Sequence, residues 1–371
     1  MGVSRRRADD AGVIRKEEQG RVAPRLRMLM LTQGAWDHAS SRERAARYRA
    51  LLESTGRWSV HWLPRVPERP RTTISKLRFA IAKRLLTLCR AFQIAFGQWD
   101  LVFVQRLFLS PRLLRLLQRR GIPLVYDFDD AIYLDVPGSR ANEKRTAAMV
   151  KAADQVIVST RDLLPFCAAQ GKSPQVITTP VDTDWITPSD QHEDEVCTVG
   201  WIGSASTTPY LNLVAPALAD AASRCRIRLL AVGADEAELN LPGVPVEIVP
   251  WSFEREPELL RRMTIGIMPL PDDAWARGKG GYKLLLYMAA GLPVVASPVG
   301  INREIVRHGE TGYLADGAKQ WAECLHSLCT RQGLRRSMGQ AGRSLAEERY
   351  SREVCFERLS GCLDAAIKSR Q

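Results

Sequence analysis

Apolar runs of three to five residues, each separated from the next by a stretch with helical spacing, recur along this chain and leave few architectures open to it. One set lies at 28–31, 60–63, 101–105, 124–128, 156–159 and 176–179, and a second at 198–202, 228–232, 246–249, 266–268 and 294–296. Strands alternating with helices of this length form parallel, doubly wound sheets. Between the sets, around 180–195, the apolar period stops and acidic and polar residues take over, which marks a linker. The expected organisation is α/β. A mixed-charge segment at 1–26 without an apolar period is taken as disordered. A first Rossmann-like domain follows at 27–185 and a second at 186–350, with a last helix at 351–371 packing back on the first. Within the first domain, 40–54 reads as a helix capped by Ser40 or Ser41.

A chain of 371 residues suffices for two such cores. No apolar run approaches the roughly 18 residues of a membrane span, which points to a soluble protein. The eight cysteines include no Cys-x-x-Cys pair, so they are expected to be reduced thiols in a cytoplasmic protein, and no metal site is expected. The net charge of +12 favours acidic partners such as nucleotide phosphates or anionic lipid. No recognised nucleic-acid motif accompanies that charge, and none is expected as a partner.

The densest chemistry lies near residue 280. Arg277, Lys279 and Lys283 stand among Gly278, Gly280 and Gly281, and the loop runs directly into an apolar helix that stops at Gly291. Free N–H groups at a helix start, backbone open to close approach and added ammonium groups together make an anion site suited to phosphate. A glycine-containing connection with lysines in water is the plain alternative. No Gly-x-x-x-x-Gly-Lys-Ser/Thr sequence is present, and no Gly-x-Gly-x-x-Gly opens the first βα unit. The turn at Gly203 and Ser204, which follows a strand, is a second candidate phosphate cradle.

Arg106 follows one strand, and Asp127, Asp129 and Asp130 crowd the end of the next. Ligands of open α/β sheets gather at the carboxyl ends of strands, so these groups are placed for chemistry or for sugar hydroxyls. At 75–96, Leu77, Ile81, Leu85, Leu88, Phe92 and Phe96 form one helical stripe flanked by Lys76, Arg78, Lys83, Arg84 and Arg90. A core-facing helix with a solvated basic side is the default reading. Docking on an anionic membrane surface is the alternative.

The order Ala39-Ser-Ser-Arg42, Val104-Gln-Arg106, Asp127-Phe-Asp-Asp-Ala-Ile132, Pro180-Val-Asp182, Gly200-Trp-Ile-Gly-Ser204, Tyr287-Met-Ala-Ala-Gly-Leu-Pro-Val-Val-Ala-Ser297, Asn302-Arg-Glu-Ile-Val306 and Gly309-Glu-Thr-Gly-Tyr-Leu314 resembles the family 4 glycosyltransferases. The likeness spans about 27–350. It implies a GT-B fold, two Rossmann-like domains facing across a cleft, with a nucleotide-sugar donor mainly on the second and an acceptor (sugar, lipid-linked or small molecule) on the first. It also implies a retaining, metal-independent transfer, in a cytoplasmic enzyme that is peripheral at the inner face of the membrane if the lipid-docking alternative holds. On this reading Lys279 and Lys283, with backbone at Gly203, Ser204, Gly280 and Gly281, hold the diphosphate. Asn302, Arg303 and Glu304 lie near the sugar or phosphate, and Arg106, Asp129 and Asp130 serve the acceptor side.

The chain departs from the family at three places. The two glutamates that relatives carry with seven residues between them are replaced by Gly278 and Leu286, the second of which usually holds the donor ribose. Pro209 stands where a basic residue is expected. Asp129 and Asp130 stand where many relatives have His-Asp. Either these carboxylates serve the acceptor in a divergent subfamily, or the chain is a non-catalytic scaffold within a glycan assembly complex.

Overall fold

The computed structural model describes residues 24–64, 73–134, 140–188 and 196–371. Its twelve strands are β1 (Leu26–Thr32), β2 (Trp58–Pro64), β3 (Leu101–Gln105), β4 (Leu124–Phe128), β5 (Gln155–Val158), β6 (Gln175–Val176), β7 (Cys197–Ile202), β8 (Ile227–Val232), β9 (Val246–Val249), β10 (Ile265–Met268), β11 (Val294–Ala296) and β12 (Gly312–Leu314). They form two parallel sheets, β2-β1-β3-β4-β5-β6 and β12-β11-β10-β7-β8-β9. Every residue of β3, β4, β7 and β10 is buried, as strands covered by helices on both faces must be. The fold is the expected pair of Rossmann-like units.

Each sheet has a switch point where the strand order reverses, beside β1 and β3 in the first and beside β7 and β10 in the second. Loops leaving those strand ends diverge and open a crevice, the usual ligand position in such sheets. Here the two crevices face one another.

Several expectations are corrected. The first sheet begins at Leu26, inside the segment taken as disordered, whose residues 1–23 lie outside the described ones. The helix after β1 is capped by neither Ser40 nor Ser41; His38 caps it, its Nδ1 accepting from the Ser41 N–H at 3.4 Å. The expected strand at 176–179 shrinks to two residues, and β12, read only as a motif, is a strand.

The first part of the expected linker is packed. Val181 and Ile186 are fully buried, and Val181 exchanges backbone hydrogen bonds with Tyr350 and Arg352. Arg47 and Arg352 both donate to Asp182. Arg343 donates to the carbonyls of Thr183, Ile186 and Ala289 at 2.5–2.7 Å, which fastens this crossing to the second domain. Residues 189–195 lie outside the described ones. Beyond the second crossing, the helix Arg352–Lys368 buries Cys355, Leu359, Cys362, Leu363 and Ala366 in a core shared with Met28, Phe103 and Ile157 of the first sheet.

The helix Thr73–Phe96 reverses the default reading. Ile81, Leu85, Leu88, Phe92 and Phe96 are 52–72% exposed, whereas Arg90 and Ile94 are buried. The apolar stripe faces solvent because Ile94, on the opposite side, already fills the core against Leu29, Val102 and Leu124.

A buried ion pair anchors the first sheet to the helix after β1. Arg44 donates to both oxygens of Asp127, at 2.5 and 2.9 Å, and to the Ile177 carbonyl. Removing one partner strands a buried charge, so Arg44→Ala is expected to cost about 3–5 kcal/mol. A denaturant midpoint that does not move would contradict this.

Candidate active site

Loops following strands of both sheets close on a cavity of about 420 Å³. From the first domain come Asp37 to Ser40 and Arg42 after β1, Asp129 and Asp130 after β4, and Thr179 after β6. The second contributes Gly203, Ser204 and Thr207 after β7, Trp251 and Glu256 after β9, and the run from Lys279 to Lys283 after β10.

The second domain's wall is cationic. Gly281, with φ of 69°, takes a left-handed conformation that turns the loop into the helix Tyr282–Ala289. The first N–H groups of that helix therefore start at the cavity. Lys283 reaches back toward the β7 turn, with Nζ 3.5 Å from Thr207 Oγ1 and 4.2 Å from the Trp201 ring centroid. Burial, and then the neighbouring Lys279 charge, depress its amine to about 7. An anion would relieve both penalties. Lys279 Nζ lies within 6 Å of the rings of Tyr210 and Trp275. Ser204 and Thr207 close the turn with a reciprocal capping box.

The first domain's wall holds two carboxylates on one guanidinium. Arg106 Nη1 donates to Asp129 Oδ1 at 3.2 Å, Asp130 Oδ2 at 3.3 Å and Ser40 Oγ at 3.1 Å. Burial favours the neutral acid at both positions. At Asp130 the adjacent Asp129 charge adds to burial and the carboxyl is pushed up; at Asp129, Arg106 and Arg44 more than offset burial and hold it down. The two neighbouring carboxyls are thus shifted in opposite directions, as in sites that divide acid and base roles between two carboxyl groups. His38 sits beside them with its imidazole kept neutral by burial and by Arg106. Arg106 (φ 50°) and Asp130 (φ 57°) are the two non-glycine residues with positive φ among the described residues. Strain costing about 1–3 kcal/mol each persists where surrounding structure enforces it, commonly at functional sites.

The domains touch beside the cavity. Phe253 of the second is stacked on Trp185, meets Trp36 edge-on, and lies under the guanidinium groups of Arg42 and Arg47. The loop at 278–280 presses on the first domain. A Cβ at Gly278 would fall 2.7 Å from Ala131 Cβ, and one at Gly280 would crowd Ser159. No side chain fits at Gly278 in this arrangement, which accounts for the missing first glutamate.

The cavity thus brings together Asp129, Asp130, Gly203, Ser204, Lys279, Gly280, Gly281 and Lys283 among the expected residues. Arg106 stands behind the carboxylates rather than in the lining. Asn302, Arg303 and Glu304 are not part of it. Asn302 is buried and donates to the Ser297 carbonyl, holding the turn after β11; Arg303 is exposed, and Glu304 pairs with Arg161 at 3.3 Å. Their place just after β11 put them on a neighbouring strand end, which motif order alone could not separate from the cavity. Sequence reasoning gave no site role to His38, Arg42, Trp251 or Glu256. For His38 and Arg42 a signal existed, since both follow closely on β1, the switch-point strand, His38 as the helix cap and Arg42 within the helical residues after it. Trp251 and Glu256 lie in a polar connection without a motif.

Residues 196–331 match the family model described as Glycosyl transferases group 1. Among curated proteins the chain is similar to D-inositol 3-phosphate glycosyltransferase of Acidothermus cellulolyticus, with 26% identity over 239 residues, 54% of this chain and 52% of the relative. It is also similar to spore coat protein SA of Bacillus subtilis, 33% identical over 75 residues, 19% of this chain and 20% of that one. The chain thus spans about half the length of the first relative and about a fifth of the second. Among solved structures, sucrose-phosphate synthase from Thermosynechococcus elongatus aligns with a TM-score of 0.69 and 15% identity over 93% of this chain and 100% of that one. Anabaena Alr3699/HepE in complex with UDP and glucose aligns with a TM-score of 0.63 and 16% identity over 92% and 100%. The architecture is therefore GT-B, and the stretch that matches the group 1 model lies in its second half.

Proposed function

We propose that this chain is a retaining glycosyltransferase that moves a sugar from a nucleotide-diphosphate sugar to an acceptor hydroxyl without needing a metal ion. The observation that carries the reading is the cavity, where a lysine-bearing helix start of one domain faces a guanidinium-held carboxylate pair of the other. Breaking the donor's glycosidic C–O bond leaves its electron pair on the diphosphate. Lys279, Lys283 and the N–H groups around Gly280, Gly281 and Ser204 meet that charge as it develops. Asp129 and Asp130 receive the acceptor, whose hydroxyl forms the new C–O bond on the face from which the diphosphate leaves, which retains the configuration, and passes its proton to the Asp129 carboxylate. The group 1 domain match and the UDP and UDP-glucose complexes of HepE support a nucleotide-sugar donor. Calorimetric titration with UDP, GDP, ADP and dTDP, in Mg²⁺ and in EDTA, tests it. One nucleotide is expected to bind equally in both, and its sugar conjugate to turn over with an acceptor. Failure of all four to bind would overturn the reading.

A membrane surface is the further partner in this reading, with the enzyme peripheral at the cytoplasmic face. Residues 73–96 contain five Lys or Arg and no Asp or Glu, and the exposed stripe from Ile81 to Phe96 has the spacing of an interfacial helix. No described helix is long and apolar enough to cross a membrane. Vesicles containing phosphatidylglycerol are expected to retain the protein in a flotation assay, less so at high salt. The double substitution Leu88→Glu, Phe92→Glu should abolish retention without changing nucleotide affinity. Equal flotation of the variant would refute the assignment.

A further inference from the structure

We infer that Glu256 is the residue by which the cavity recognises the vicinal hydroxyls of the donor's ribose, an inference that rests on the nucleotide-sugar reading above. Four acids line the cavity among the described residues, and three of them, Asp37, Asp129 and Asp130, belong to the first domain. Glu256 alone comes from the second, the domain whose lysines and helix start are suited to the diphosphate. The ribose is bonded directly to that diphosphate, on the side away from the transferred sugar. A nucleotide whose sugar faces Asp129 and Asp130 therefore turns its ribose toward the second domain's own wall.

The carboxylate there is held ready for a neutral donor. Glu256 is only 2% exposed, yet it forms no ion pair with any described Lys or Arg. Its Oε1 accepts from Trp251 Nε1 at 2.9 Å, and Trp251 is itself fixed by the Arg42 guanidinium 5.2 Å over its ring. One indole N–H leaves most of the acceptor capacity of a carboxylate unused. A vicinal diol offers two O–H donors at matching separation. On the same wall the helix Tyr282–Ala289 presents Leu286, which can accept nothing. Burial also pushes the Glu256 carboxyl up to about 7, and hydroxyl donors favour its ionised form.

The test compares UDP, GDP and ADP with their 2′-deoxy forms by calorimetry on the full chain. The wild type is expected to bind the ribo form of its nucleotide about tenfold more tightly than the deoxy form. Glu256→Gln should bind both forms equally, at the deoxy level, and Glu256→Asp should narrow the ratio in the same direction if the amide variant does not fold. Lys283→Ala should weaken both forms and leave the ratio intact. A ribo preference unchanged in the Glu256 variants, or absent from the wild type, would overturn the inference while leaving the nucleotide-sugar reading standing. Absence of binding by every nucleotide would overturn both.

Discussion

Lys283→Ala is expected to weaken nucleoside diphosphate binding by about ten- to a hundredfold, the worth of a charge-assisted hydrogen bond to phosphate. The side chain spans the helix start and the β7 turn, with Thr207 and the Trp201 ring as its neighbours and no acidic partner within ion-pair distance among the described residues. A depressed amine pKa of about 7 gives the prediction a pH signature. Above pH 7 the free protein holds Lys283 neutral. A bound diphosphate favours the ammonium form, so binding must draw a proton from solution, and affinity must fall as pH rises from 7 to 9. At pH 8 the uptake should approach about 0.9 proton per nucleotide, measured as the dependence of calorimetric enthalpy on buffer ionisation. Lys279 is the charged group nearest to Lys283; Glu256, which also titrates near 7, is mostly ionised by pH 8 and changes the count little. Uptake that persists in the alanine variant would reject Lys283 as its source.

Asp129→Asn is expected to lower kcat by about 10²- to 10⁴-fold, the usual range for a positioned acid–base group, with nucleotide affinity nearly unchanged. The Asp129 carboxyl is held down by Arg106 and Arg44, while burial and the Asp129 charge push its neighbour Asp130 up. Neutralising Asp129 removes a charge that pushes Asp130 up and loosens Arg106, which touches both carboxylates. Because the pair lies on the opposite wall from Lys279 and Lys283, the effect should fall on turnover and on the acceptor's KM. Wild-type kcat in the Asp129→Asn variant would remove the carboxylates from the reaction. A variant that lost nucleotide affinity as heavily as turnover would place the damage in the cavity's shape.

The alternation of apolar runs was enough to read out every strand but β12, because a strand buried on both faces must be apolar throughout and a crossover helix must follow it. Boundaries were less legible at β6, where only Gln175 and Val176 pair although 176–179 reads as equally strand-like. The phosphate-like loop was legible for the same local reason: glycines, lysines and a helix start adjacent in sequence stay adjacent in space. Leu286 and Gly278 were legible only as absences. The sense of Gly278 came from a contact more than a hundred residues away, with Ala131 filling the room a side chain there would need.

Composition and periodicity by themselves determined a basic, two-domain α/β chain with a glycine- and lysine-rich loop and a carboxylate cluster, since those properties belong to residues close together along the backbone. Only the tertiary structure decided that Asp129 and Lys283 share one cavity, that Asn302 serves a turn, and that Glu256 enters the wall beside Leu286. It also decided which side of Thr73–Phe96 meets solvent, because an amphipathic helix states that it has two faces, while the space left by Leu29, Val102 and Leu124 selects the one to cover.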